Sequence, residues 1–206
     1  MTTMSTQELI EDQEIMIVLN ARNYRYYCDM VNQIEKGECP FCVIDPEKNN
    51  VIIDGKYWRA WSCPPEFMAK HLKYHFVMTP KKHVTKLNQL SKDDEKSLFD
   101  LIFRFTDEYN IEGGAIVMRF GDANKNAQSV RHLHCNLIVP DGTGDVKQTI
   151  AKSSEKIEQK KLVVACWEKM RLWEPGYHGK DTTDRFIAGT CLTPEEFKLV
   201  EKYFNE

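Results

Sequence analysis

The segment Ala127-Gln128-Ser129-Val130-Arg131-His132-Leu133-His134-Cys135-Asn136-Leu137-Ile138-Val139-Pro140 alternates side-chain character along its length and reads as one strand. Successive side chains of a strand point to opposite faces, which puts His132, His134, Asn136 and Ile138 on one side and Leu133, Cys135, Leu137 and Val139 on the other. The second row suits a core. The first row carries two imidazoles and an amide, led in by Gln128 and Ser129, and makes a surface where a histidine nucleophile and hydrogen-bond donors can meet a phosphate. A half-buried strand with hydrogen-bonded histidines is the plainer alternative, although packing alone would not choose this row.

The segments around it supply the rest of a sheet. Val51 to Ile53 and Tyr57 to Ser62 are strand-like and flank Asp54-Gly55, a strong hairpin signal. His75 to Pro80 predicts a further strand, and Ala115 to Phe120 another. Between them, Ser91 to about Tyr109 predicts a helix with Ser91 as N-cap, Asp93, Asp94 and Glu95 in the first turn, and Leu98, Leu101, Ile102 and Phe105 at helical spacing. The polar loop Gly121 to Asn126 leads into the histidine run. Upstream, Gln7 to Ile34 reads as one or two amphipathic helices. Downstream, the pattern predicts a strand near Asp145 to Lys152, a helix from about Glu155 to Arg171, and a last helix opened by the capping box Thr193-Pro194-Glu195-Glu196.

With 206 residues and a formal net charge of −3, the chain can bury one substantial core and offers no broad attraction for nucleic acid. A small phosphorylated ligand remains compatible. No apolar stretch approaches bilayer-spanning length, and no basic patch followed by an apolar segment opens the chain, so a cytoplasmic setting without membrane insertion is the expectation. The seven cysteines are scattered and odd in number, which fits reduced thiols with one metal pair.

The run 127–140 resembles the signature of the histidine triad (HIT) superfamily. There Gln-Ser-Val precedes His-x-His-x-His, with x apolar, and a short apolar tail ends in Pro. Asn136 stands where the family's hydrolases carry a third histidine, and Ala127 where glycine is usual. The stretch His75 to His83 is similar to a second family segment, an apolar strand running into Pro-Lys-x-His. The resemblance spans Cys39 to Pro140 and implies an α+β fold: a HIT-like antiparallel sheet with a helix packed on it. A helical extension over residues 1–38 would precede the domain at 39–140, and a C-terminal extension over 141–206 would pack on that same domain. It also implies a homodimer.

Cys39-Pro40-Phe41-Cys42 alone is open between a buried thiol pair, a redox dithiol and half a metal site. In zinc-binding HIT-like proteins, including the related galactose-1-phosphate uridylyltransferases, such a pair joins the Pro-x-x-His histidine and the first signature histidine. Carried over, the resemblance implies a closed, structural Zn2+ site of Cys39, Cys42, His83 and His132. It assigns the covalent nucleophile to His134. Gln128, Ser129 and the backbone at Ala127 would donate to phosphoryl oxygens. Asn124 and Asn126 are ligand contacts or plain turn residues, and Ile44 and Ile53 are candidate walls for a base or ribose.

Asn136 cannot act as a general acid, because a neutral amide only donates or accepts hydrogen bonds. The transferase and phosphorylase branches of the superfamily carry Gln there. The implied activity is therefore transfer of a nucleotidyl group from a nucleotide substrate, through His134, to phosphate or another acceptor. The alternatives are hydrolysis of dinucleoside polyphosphates or nucleoside phosphoramidates, and a weakly active nucleotide-binding sensor.

Overall fold

The turn expected at Asp54-Gly55 forms and starts an antiparallel sheet. In the computed structural model, which describes residues 5–11, 14–44, 49–174 and 181–204, the elements run α1 (Thr6–Ile10), α2 (Tyr24–Lys36), β1 (Val51–Asp54), β2 (Trp58–Ser62), β3 (Leu72–Pro80), α3 (Lys92–Glu108), β4 (Ala115–Arg119), β5 (His134–Pro140), α4 (Ser154–Trp173), α5 (Asp181–Cys191) and α6 (Pro194–Glu201). The class is α+β. No described helix is long and apolar enough to cross a membrane.

Two compact units divide the chain: Met1–Cys39, Ala127–Arg131 and Ala151–Glu206 in one, Pro40–Asn126 and His132–Ile150 in the other. The N- and C-terminal segments, read from the sequence as separate extensions, thus share a unit.

The second unit holds the sheet, in the order β1-β2-β3-β5-β4, with every neighbouring pair antiparallel. Register fixes its two faces. Ala60, Met78, Cys135 and Met118 align across the strands, as do Phe76, Leu137 and Ile116. Trp58, Ala60, Phe76, Met78, Cys135, Leu137 and Val139 bury against Leu98, Leu101, Ile102 and Phe105 of α3. Ser91 caps α3 as expected, accepting from the Asp94 amide while the Asp94 carboxylate accepts from the Ser91 amide.

The other face carries Trp61, Cys63 and Val77, packed against Phe41, Ile44, Phe67 and Met68. Because paired residues in a ladder point the same way, this face also receives His75, Asn136, Ile138, Val117, Arg119 and His134.

Two strand readings are corrected. The strand of the histidine run begins at His134, so His132 does not share its row by alternation. Ala127 instead has φ +53°, in the left-handed region. Beyond it Val130 bridges Met16, and the Arg131 amide donates to the Ile15 carbonyl at 2.8 Å within the first unit. Leu133 then anchors the strand entry, its amide donating to the Val84 carbonyl at 2.7 Å. The strand expected at Asp145 to Lys152 is also absent. Its apolar positions do not build a buried face, Ile150 being 55% exposed, and nothing fixes a register for it.

In the first unit the Gln7 to Ile34 reading resolves into α1, a short 3-10 turn at Val18–Asn20, and α2, which Asn23 caps and Gly37 closes at φ +69°. The helix expected near Glu155 forms as α4, capped by Ser153, and Thr193 opens α6 with the expected capping box. Helix α5 was not legible. Its Thr- and Gly-containing sequence has weak propensity, and it is held by burial of Asp184, Ile187 and Ala188. Glu174-Pro175-Gly176-Tyr177, which reads from the sequence as a break after α4, falls from Pro175 on outside the described residues.

Candidate active site and metal centre

Four potential ligands converge where the Cys-x-x-Cys turn meets the end of β3. The donor atoms of Cys39, Cys42, His83 and His132 all lie within 4.8 Å of one another, Cys39 being the residue at which the chain passes from the first unit to the second. Cys42 Sγ stands 3.2 Å from His83 Nδ1 and 3.5 Å from His132 Nδ1. A tetrahedral centre with metal–sulfur bonds of about 2.3 Å and metal–nitrogen bonds of about 2.0–2.1 Å has a sulfur–nitrogen edge of about 3.6 Å. The Cys42 edges stand within a few tenths of an ångström of that spacing, and the full set, spread over up to 4.8 Å, fits a zinc ion once its widest pairs close by about 1 Å.

Hydrogen bonding also prepares His132 as a ligand. Its Nε2 lies 2.9 Å from the Pro80 carbonyl, which can only accept, so the proton sits on Nε2 and Nδ1 keeps its lone pair toward Cys42. Burial pushes the His132 pKa down to about 4, so the ring is neutral near pH 7, the state a metal ligand requires.

His134 begins β5 on the same side of the sheet as β3's His75. Its Nδ1–H donates to the carbonyl of His132 at 2.8 Å, which leaves the lone pair on Nε2. Burial pushes its pKa down to about 4, with the nearby charge of Arg119 acting in the same direction. The result is a neutral imidazole of one tautomer, the form that attacks phosphorus. Phe41, carried between the two cysteines, packs edge-on against this ring at 5.3 Å between centroids and against Trp61 at 5.4 Å.

Asn136 is held at both ends of its amide. Its Nδ2 donates to the Val117 carbonyl at 3.2 Å, and its Oδ1 lies 2.9 Å from His75 Nε2, which therefore donates. His75, in the strand predicted over His75 to Pro80, is buried and brings a second imidazole to the row.

The solved structures it resembles include histidine-triad proteins. A HIT family hydrolase from Legionella pneumophila Philadelphia 1 is 23% identical, over 53% of this chain and 96% of that one, with a TM-score of 0.39. A diadenosine triphosphate hydrolase from Plasmodium falciparum is 21% identical over 63% and 79%, with a TM-score of 0.38. A hypothetical histidine triad nucleotide-binding protein from Sulfolobus tokodaii strain7 is 18% identical over 69% and 100%, also at 0.38. No protein-family model matches the chain, and no curated protein matches it.

The remaining candidate site residues lie in several places. Gln128 and Ser129 fall in the first unit: Gln128 Nε2 donates to the Val130 carbonyl at 2.5 Å, and Ser129 Oγ accepts from the Tyr26 hydroxyl at 3.1 Å. Ala127 supplies the left-handed turn before them. Asn124 and Asn126 close their own loop, the Asn124 amide bonding to Asp122 and Asn126 Nδ2 donating to the Phe120 carbonyl. Ile44 packs with Phe41 and Trp61 on the His134 face. Ile53 does not. It packs on the opposite face, against the α3 core, because its cross-strand partner is Ala60, and its reading as a base or ribose wall is corrected.

Sequence reasoning missed Arg119, Phe41 and His75. Arg119 is the register partner of His134, and its Nη1 donates to the Thr149 carbonyl at 3.3 Å. The available signal was a basic residue ending an otherwise apolar strand.

Proposed function

We propose that the chain is a histidine-triad-like enzyme that processes nucleotides through a nucleotidyl-His134 intermediate. The observation that carries this is the bond from His134 Nδ1–H to the His132 carbonyl, which leaves Nε2 as the nucleophilic atom of a neutral ring. Nε2 attacks phosphorus, an N–P bond forms, and the P–O bond to the leaving group breaks with its electron pair going to that oxygen. An acceptor oxygen then attacks the phosphorus, and the N–P electron pair returns to the ring. Arg119, paired with His134 across the ladder, places a positive charge beside the phosphoryl oxygens as negative charge develops there.

A structural zinc ion would be held by Cys39, Cys42, His83 and His132, supplying cross-linking rather than chemistry. It would tie the strand entry at His132 to the Cys turn carrying Phe41. Asn136, held between His75 and Val117, supports transfer to phosphate or another acceptor, since its amide has no proton to give to a leaving group. Hydrolysis is the second reading, favoured by the His75 imidazole in contact with that amide.

Covalent labelling tests the assignment. Wild-type protein incubated with a nucleotide substrate and quenched in base should gain one nucleotidyl mass on His134. His134→Ala should lose the label and keep its zinc, and a label that survives this substitution removes His134 from the role.

A further inference from the structure

Residues 1–38 lie outside the histidine-triad resemblance, yet they grip the loop that precedes His134 in the chain. The Ile17 amide donates to the Ser129 carbonyl at 2.9 Å and the Arg131 amide to the Ile15 carbonyl at 2.8 Å, on either side of the Met16–Val130 bridge. Asn20 Nδ2 donates to the Gln128 carbonyl at 2.8 Å. Lys152 Nζ holds Asn20 in turn, donating to its Oδ1 at 2.8 Å and to the Leu19 carbonyl at 3.0 Å. The backbone is thus pinned on both sides of Ser129. Its side chain is held as well, with Oγ 3.1 Å from the Tyr26 hydroxyl. Tyr26 stands in the first turn of α2, where its own amide donates to the capping Asn23 Oδ1 at 2.9 Å. All of these residues belong to the first unit.

We propose that Tyr26 is a positioning residue of the reaction, its hydroxyl aiming and polarising the Ser129 hydroxyl as a donor to a phosphoryl oxygen of the nucleotide. The assignment rests on the nucleotidyl-His134 reading.

The chemistry of the two hydroxyls sets the direction of the bond. A phenol is more acidic than an aliphatic alcohol and is the better donor, while the aliphatic oxygen is the better acceptor. Tyr26 therefore donates and Ser129 accepts. The contact uses a lone pair of Ser129 Oγ and leaves its one hydrogen unspent. A hydroxyl that accepts a hydrogen bond donates a stronger one, because each bond polarises the other. That gain rises with the charge on the acceptor, so it is larger in the transition state, where negative charge develops on the phosphoryl oxygens, than in the ground state. With the backbone pinned at Gln128, Ser129 and Arg131, the donor also needs no rearrangement as the charge appears. Tyr26 thus acts on the maximal rate more than on binding.

The probe is adenosine 5′-p-nitrophenyl phosphate, whose leaving group needs no proton. Tyr26→Phe removes one oxygen and should lower the maximal rate of His134 labelling about tenfold, with the half-saturating concentration within about twofold. Its melting temperature should stay within about 4 °C of wild type. Ser129→Ala should label more slowly still, and in that background Tyr26→Phe should change the rate less than about twofold, because it acts through the missing hydroxyl. The two phosphorothioate diastereomers of the probe give a reading that does not depend on the activity of Ser129→Ala. Sulfur in place of the oxygen that Ser129 contacts is a weaker acceptor, so wild type should prefer one diastereomer and Tyr26→Phe should narrow the preference. A wild-type labelling rate in Tyr26→Phe, an unchanged diastereomer preference, or a loss that recurs in full in the Ser129→Ala background would overturn the role of Tyr26 and leave His134 in place. If the probe puts no nucleotidyl group on wild-type His134, the nucleophile reading fails, and this role with it.

Discussion

Zinc should raise the melting temperature of this protein by about 10 °C, and Cys42→Ser should abolish the rise. Cys42 Sγ already stands 3.2 and 3.5 Å from the two imidazole nitrogens and all four donor atoms lie within 4.8 Å of one another, so binding needs local closure rather than assembly of the site. At a free zinc concentration about a thousandfold above the dissociation constant, mass action adds about 4 kcal/mol to the folded state. A chain of 206 residues unfolds with an entropy of about 0.4 kcal/mol per kelvin, which converts that gain into the predicted shift. Cys42 is exposed, and serine is close to it in size, so the metal-free melting point should barely move in the variant. The variant's hydroxyl stays protonated at neutral pH and is a poor ligand, so zinc content and the thermal response should fall together. Thermal scans with zinc and with chelator, alongside elemental analysis, read both. A wild-type protein that melts at one temperature with and without zinc, or a Cys42→Ser protein that keeps one zinc per chain, would refute the reasoning.

Asn136→His restores an ionisable group beside His75 and should raise turnover of substrates with poor leaving groups relative to good ones. Product analysis with and without phosphate checks this for wild type and variant, and exclusive capture by water in the wild type would move the assignment to hydrolysis. In the first unit, Glu168 is 1% exposed and accepts from the Tyr27 hydroxyl and from two guanidinium nitrogens of Arg171. Glu168→Leu leaves that guanidinium only Glu35, at 3.4 Å, and the Tyr27 hydroxyl without its acceptor, and should cost about 3 kcal/mol, measured as a lowered denaturant midpoint. A loss under about 1 kcal/mol would mean that the network contributes little.

The parts of the site that were legible from sequence depend on residues close together in the chain. His134 stood out by the alternation of a run of fourteen residues, its role as nucleophile being what the resemblance implied, and Cys39, Cys42, His83 and His132 came from three short segments that the resemblance joined. Ile53 was misassigned because strand alternation says which residues share a face but not which face meets α3. A single residue of register reverses the answer. Arg119 and His75 reach the site only through pairing with β5.

The sequence by itself determined the elements whose signals are local. Ser91 and Thr193 cap their helices because a hydroxyl three residues before a carboxylate can satisfy the first amides, and Asp54-Gly55 turns the chain because glycine tolerates the tight loop. The periodic apolar positions of α3 and of β5 from His134 on likewise fixed which side chains would be buried. Tertiary structure decided what depended on distant partners. It delayed the start of the histidine strand to His134, because residues 15–17 capture the backbone of Ser129 and Arg131 and Ala127 turns the chain at positive φ. It left Asp145 to Lys152 without a ladder and formed α5 from a weak sequence. In each case the free energy comes from burial and pairing with residues far along the chain, which local propensity does not contain.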